Sequence, residues 1–381
     1  MRRHGLRILA VAALVAAPDA FAASRLEPVP VAAVDLADAA NAVAPVALRG
    51  HVVFSRRVLA TGRYELVEWT ESSGLRVLPV GDRVVAFDAD LGLEPDGRIL
   101  LTWSRCTHDG VDSYPNPSFD FSRARGCRLW SLRLDVSAAV PHHLRLRGDA
   151  RLSLTTPSVH DGSVVAVAAP RRGSRNVRIL LWRKSTRRPV RLRGGTADCP
   201  DIPEAYPTCR RGPRTGVDAL DLGPRSIAYT WRNPQNGYGT AGGIELRTAT
   251  LRPSGPTIQV PRTNGFVADG SLRQPSSPTA LANGGVGFLL IEEPCFCLHS
   301  MLAVAAPDGE LWRGVRPSDA VALGAAYDGD RVYWLRGRKL PLAGDIEDPY
   351  ENGPYPCAAP GVDCRLVVSD ALPYRAPTLA R

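Results

Sequence analysis

The sequence predicts an all-β protein: a β-propeller of four-stranded antiparallel blades, six by count, with seven as the alternative. Three observations lead there. Helical periodicity is almost absent, and short alternating or apolar runs rich in Val, Leu, Ile, Tyr and Trp dominate. The 381 residues include 35 Gly and 33 Pro, so turns are frequent. One unit also recurs along the chain: a small or apolar lead, a turn glycine, then an apolar strand.

Taken in order, the unit reads ALRGHVVFSRR (47–57), EPDGRILLTWSR (94–105), VHDGSVVAVAAPR (159–171), DLGPRSIAYTWR (221–232), LANGGVGFLLIE (281–292) and YDGDRVYWLRG (327–337). Most copies are followed by a second strand: YELVEWTE, CRLWSLRLD, VRILLWRK, IELRTATL, MLAVAAP and CRLVVSD. A short outer strand often comes next, as in LRVLPV, HHLRLR, PVRLR and LWRGVR. Strand, glycine turn, strand, loop, strand, strand is one antiparallel blade, and several close radially into a ring with only short protected edges. The last copy lacks an outer strand after Val368, so a segment around Val29 to Val34 is expected to supply it.

EPDGRILLTWSR resembles the Pro-Asp-Gly turn unit of TolB-like and WD-type β-propellers, and the weaker cycle across 46–370 is similar to secreted bacterial relatives of that fold. The resemblance implies a scaffold that takes diverse ligands. It transfers no catalytic residue.

The start of the chain reads as a secretory signal over residues 1–22, with 23–381 as a single propeller domain. Arg2, Arg3 and Arg7 precede an apolar run from Ile8 to Ala17, and Ala20-Phe21-Ala22 gives a small-x-small cleavage site. The apolar run is too short to span a bilayer, and no later stretch approaches one. Removing the segment takes away three Arg and Asp19, lowering the formal charge from +9 to +7. A secreted or extracytoplasmic location favours disulfides over metal-bound thiols for the eight cysteines. Local pairing predicts Cys106 with Cys127, Cys199 with Cys209, and Cys357 with Cys364. Cys295 and Cys297 are left unassigned, because a bridge across one residue is strained.

In an antiparallel blade with strands A (innermost) to D, connections alternate between the two ends. The tight glycine turns join A to B. The long loops, 107–126, 194–217, 233–242, 261–274 and 339–363, fall in B–C or D–A positions and gather on the opposite rim. Rigid scaffolds carry function on such loops.

Motifs with chemistry mostly fail in context. Gly237-Tyr-Gly239-Thr-Ala-Gly242 matches a dinucleotide fingerprint but is followed by the strand-like IELRT rather than a helix. No Gly-x-Ser-x-Gly, no His-Glu-x-x-His and no zinc spacing occurs. Asp88-Ala-Asp90-Leu-Gly92 with Glu94 and Asp96 resembles an incomplete calcium loop, or turn chemistry beside an inner strand. Neither a cofactor nor a metal is expected. Inner strands line the channel, which makes Asp88, Asp90, His160 and Asp218 the polar candidates there. A channel carboxylate is either a hydrogen-bonded closure residue or, paired with another, a glycosidase group.

Between Arg171 and Arg193 there are ten basic residues and no acid. Arg171, Arg172, Arg175, Arg210, Arg211 and Arg214 fall in two loops flanking the third blade and form the candidate ligand site. An acidic glycan or polymer, or a protein partner, would suit it; a solvated edge is the competing reading. Nucleic acid is disfavoured, since Trp182 is the sole aromatic in the run. A monomeric secreted binding module without catalysis is therefore the expected function. The alternative is an extracytoplasmic glycan hydrolase or lyase using channel carboxylates.

Overall fold

The computed structural model describes residues 32–112, 118–119, 124–136, 138–171, 177–183, 190–191, 216–232, 244–252, 257–260, 265–266, 272–293, 299–307, 312–317, 320–339, 357 and 362–370. These residues are almost entirely strand. The first strand, β1 (Val34–Asp38), stands apart in sequence from its sheet. Next come β2 (Ala42–Leu48), β3 (His51–Val58), β4 (Arg63–Thr70) and β5 (Gly74–Val77), which form the first blade in chain order. The second blade contains β6 (Asp90–Leu93), β7 (Ile99–Arg105), then a small hairpin of β8 (Val111–Asp112) and β9 (Ser118–Phe119), then β10 (Arg128–Arg133) and β11 (His142–His143). The third is β12 (Leu152–His160), β13 (Ser163–Pro170), β14 (Arg178–Trp182) and β15 (Val190–Arg191).

The fourth blade is β16 (Gly216–Leu222), β17 (Ser226–Arg232), β18 (Ile244–Thr250) and β19 (Thr257–Gln259). The fifth has an extra short strand, β20 (Gly265–Phe266), ahead of β21 (Leu272–Ala280), β22 (Val286–Glu293), β23 (His299–Ala305) and β24 (Trp312–Val315). The sixth is β25 (Val321–Asp328), β26 (Arg331–Lys339) and β27 (Val362–Asp370), with β1 added as its outer strand. Val34 pairs with Val368 and Asp38 with Arg365. The closing strand therefore begins where the expected segment ends. The second and third blades join into one eight-stranded sheet through a parallel bridge between Leu93 and His160. No helix among the described residues is long and apolar enough to cross a membrane.

Blades buried on both faces need apolar residues on both, which is why their strands read as near-continuous apolar runs. Successive residues of one strand serve two interfaces. Val53, Leu66, Leu101 and Trp103 fill the contact between the first and second blades. Leu100, Leu129, Leu154 and Val164 fill the next. Val165, Leu181, Ile227 and Tyr229 join the third to the fourth, and Ala228, Leu246, Phe288 and Leu290 join the fourth to the fifth. Leu289, Leu302, Trp334 and Val367 follow, and Val52, Phe54, Tyr333 and Leu366 return from the sixth blade to the first. The described residues thus form a ring of packed blades, with core layers on both faces of each blade.

Inner strands converge at the axis and leave little room for side chains there. A Cβ on Gly92 would lie 1.8 Å from the Val159 carbonyl oxygen, so only glycine lets β6 approach β12 so closely. Five inner strands, β2, β12, β16, β21 and β25, also share a bulge that the glycine-turn pattern did not reveal. Register shifts lie between Val43 and Val46, Thr155 and Ser158, Val217 and Leu220, Ser276 and Thr279, and Ala322 and Ala325. Ala44, Thr156 and Ser277 adopt φ of 51°, 48° and 50° there. Each precedes a proline, which has no amide to donate and is at home in a bulge.

Candidate functional site

The inner strands enclose a cavity of about 840 Å³ along the axis of the ring. Its wall is largely apolar, with Pro45, Val46, Leu91, Leu220, Pro278 and Ala325 contributed by different blades. Asp88, Asp90, His160 and Asp221 line it. Asp218 is in β16, but its side chain lies outside the described residues.

A ring of hydrogen bonds runs around this wall. The Phe87 amide donates to Ser55 Oγ at 2.8 Å, linking the first blade to the second. The Thr156 amide donates to Asp88 Oδ2 at 2.7 Å, linking the second to the third. The Leu222 amide donates to Ser158 Oγ at 2.8 Å and the Ala280 amide to Asp221 Oδ2 at 2.6 Å. The Tyr327 amide donates to Thr279 Oγ1 at 3.4 Å, and the Gly50 amide to Asp328 Oδ2 at 2.8 Å, completing the circuit. At each step an amide near an inner strand, with no use in its own ladder, finds an acceptor on the preceding blade. Each such bond contributes about 1 kcal/mol net, and an orphaned buried amide would cost more.

This belt accounts for Asp88. Besides Thr156, it accepts from the Ser104 amide (3.1 Å), the Ser104 hydroxyl (2.6 Å) and Arg83 Nη1 (3.1 Å). Arg83, only 4% exposed, also donates to Asp109 at 2.7 Å and stacks over Phe87. Asp88 is thus a closure residue in an acceptor role. The carboxylate that acts on Asp90 is Asp221, from two blades further on.

Asp90 is buried in the wall, and Asp221 is partly buried there. Ser158 lies at the junction: its hydroxyl donates to Asp221 Oδ1 at 3.1 Å and accepts from the Leu222 amide. Burial pushes the Asp221 carboxyl up to about 6. Burial, then the Asp221 charge, pushes Asp90 well above the ordinary carboxylate range, while Ser158 and the Leu91 and Val159 amides work the other way. Asp90 Oδ2 is buried without a hydrogen-bond partner. Burial also pushes the His160 imidazole down, against the pull of Asp161. No group of three or more His, Cys, Asp or Glu among the described residues could hold a metal ion.

Another buried carboxylate, Glu68 on β4, was not singled out from the sequence. Its two oxygens meet His51 Nδ1 at 2.6 Å and Arg76 Nε. The signal was register: Glu68 pairs directly with Arg76 across β4 and β5. These contacts outweigh burial and hold Glu68 below its ordinary value.

On the opposite rim, Cys106 and Cys127 form a disulfide at the base of the loop between β7 and β10. Cys357 and Cys364 form another, packed against Ala39 and Ala42 beside the closing strand. Cys199, Cys209, Cys295 and Cys297 lie outside the described residues. Arg171 is exposed at the end of β13, and its amide donates to the Arg151 carbonyl at 3.0 Å. Arg172, Arg175, Arg210, Arg211 and Arg214 lie outside the described residues, as does the Gly237–Gly242 stretch. The segment after that stretch is the strand β18, as its sequence indicates.

The sequence matches no protein-family model and no curated protein. Its fold is similar to those of several solved structures. TolB from Acinetobacter baumannii is 12% identical, with a TM-score of 0.41 over 75% of this chain and 60% of that one. The β-propeller domain of the Trilobed protease from Pyrococcus furiosus is 11% identical, with a TM-score of 0.41 over 78% and 77%. An α-L-arabinanase from Penicillium chrysogenum, complexed with arabinobiose, is 10% identical, with a TM-score of 0.46 over 90% and 99%. The chain spans 42% of the length of an acylaminoacyl peptidase that it also resembles, and 60% of TolB.

Proposed function

We propose that this protein is an extracytoplasmic binding module, with the ring as rigid support and the long-loop rim as the binding face. The observation that carries the reading is the fate of the channel carboxylates. Asp88 accepts four hydrogen bonds and Asp221 holds the Ala280 amide of the next blade, so both take part in closing the ring. A carboxylate with four donors, as Asp88 has, has no free lone pair in position to take a proton from water or substrate. That weighs against Asp88 as the base of a hydrolase or lyase and leaves Asp90 and Asp221 as the carboxylates such chemistry would draw on.

The ligand class proposed is an acidic glycan or polymer, met by Arg171, Arg172, Arg175, Arg210, Arg211 and Arg214. Arginine forks suit carboxylate and phosphate oxygens. Exposed charges are screened over about 8 Å at physiological ionic strength, so binding should be salt-sensitive. The secretory reading of residues 1–22 and the TolB-like character of the repeat belong to the same proposal.

The test is a glycan and polyanion array probed with the secreted protein at low and at physiological salt, run beside an assay for new reducing ends or unsaturated products. Salt-sensitive binding without turnover, reduced in an Arg171→Ser, Arg172→Ser, Arg175→Ser variant, is the expected result. Product release from a bound glycan would instead establish the hydrolytic reading. Equal binding by the triple variant would reduce the basic run to a charged edge.

A further inference from the structure

The belt has one place where its donors run short. Asp90 is 8% exposed, and its Oδ2 is buried without a partner. The Ser158 hydroxyl beside it has a single proton, which goes to Asp221 Oδ1, and its oxygen already accepts from the Leu222 amide. Asp221 Oδ2 is occupied by the Ala280 amide. Two carboxyls and one hydroxyl thus come together in the cavity wall where the second, third and fourth blades meet. Two negative charges there would stand without a counter-charge among the described residues, and a carboxylate as buried as Asp90 is costly enough to ionise that such groups neutralise instead.

The ionisable residues on the surrounding elements are Asp88 just ahead of β6, Arg105 at the outer end of β7, His160 on β12, Asp218 on β16, Tyr229 and Arg232 on β17, and Arg273 on β21. The strands β2 and β13 carry none. Asp88 is already saturated, and among the described residues Asp221 is the charge that acts on Asp90.

We propose that Asp90 and Asp221 share one proton at neutral pH, with Asp90 as the neutral acid, and that loss of this proton loosens the belt between the third, fourth and fifth blades. The shared proton completes the corner: it gives Asp90 a donor and leaves Asp221 the single charge that holds Leu222's partner and Ala280 in place. Deprotonation sets two like charges against each other across Ser158. The amides that then lose their acceptors are those of Leu222 and Ala280. The device is a pH-sensitive clasp inside the channel wall, separate from the rim proposed for ligand binding.

The sign follows from linkage. A carboxyl raised above its unfolded value of 3.8 contributes stability below that value, and the contribution is lost as pH rises through the folded value. Asp221, at about 6, places the start of this loss between pH 3.8 and about 6, and Asp90 extends it upward.

The test is amide hydrogen exchange on the full secreted chain, corrected for the intrinsic pH dependence of exchange. Protection at Leu222 and Ala280 should fall roughly tenfold between about pH 5 and about pH 8, the size of a pKa-unit perturbation. Protection at Thr156, held by saturated Asp88, should stay constant. In Asp90→Asn, whose amide supplies the missing donor without a titrating proton, the pH dependence at Leu222 and Ala280 should vanish. Infrared spectroscopy of the wild type gives an arm that needs no variant: a protonated carboxyl band should persist near neutral pH and disappear on raising it. Absence of that band near neutral pH, or an Asp90→Asn profile superimposable on the wild type, would overturn the proposal.

Discussion

Glu68 in the first blade and Asp90 in the channel wall are both buried carboxylates, and their surroundings send them in opposite directions. Glu68 is fully buried but touches His51 and Arg76, with Arg76 also donating to the Leu134 carbonyl of the next blade at 3.2 Å. It stays ionised, and its value is lowered. Asp90 is slightly less buried, has no cation beside it among the described residues, and feels the charge of a second carboxylate. The comparison teaches that burial alone does not decide a carboxylate's charge; the supply of donors does. Asp88, two residues from Asp90, makes the same point inside one strand approach. It has four donors and serves as an anchor.

The largest expected effect comes from taking the acceptor away where it is best used. Asp88→Ala should cost roughly 3–5 kcal/mol, as expected for breaking a buried charged network from one side, because Thr156, Ser104 and the buried Arg83 all lose a partner. Denaturant melts would show it, and a loss under ~1 kcal/mol would mean the belt is ornamental. Glu68→Gln should cost less, roughly 2–3 kcal/mol, since Arg76 is half-exposed and can turn to water. It should also remove part of the acid limb. A group held below its ordinary 4.5 contributes stability above that value, lost as pH falls through its folded value. A thermal-melt series in acid should therefore be flatter for Glu68→Gln than for wild type, while Asp90→Asn leaves that limb untouched.

Opening the Cys357–Cys364 bridge by a double Ser substitution should cost about 2 kcal/mol, because its loop is short. The effect should concentrate at the closing strand, where the Asn41 amide donates to the Cys357 carbonyl and the Ala39 amide to the Cys364 carbonyl. Limited proteolysis before Val34 should rise first. Arg171→Ser should be the smallest, within about 0.5 kcal/mol, as for an exposed side chain outside any network. A larger loss would show that the basic rim is part of the fold rather than a surface for ligands.

Much of the ring was legible because its signals are local. Each A–B glycine turn marks where two apolar runs reverse, and the missing outer strand after Val368 pointed to a closing strand near the N-terminus. The bulges were harder. Their mark is Ala44-Pro45, Thr156-Pro157 and Ser277-Pro278 ahead of the turn, a pattern hidden because β16 and β25 make the same bulge without proline. The channel residues were only half visible. Asp88, Asp90 and His160 were singled out by strand logic, whereas Asp221, which follows the bulge between Val217 and Leu220, was not. The electrostatic coupling of Asp90 to Asp221 joins blades separated by more than a hundred residues, and no short-range pattern encodes it.

The closing strand has a mechanical consequence. Val34 sits opposite Val368, so the first residue of β1 and one near the end of β27 lie at the same end of an antiparallel pair. A pull on the two chain ends would load that pair from one end only, breaking its hydrogen bonds one after another instead of shearing them together. The ring should therefore open like a zipper at its seam, at low force, with the first five blades still folded. Val34, already exposed at the free end of the strand, would be the first tooth to part.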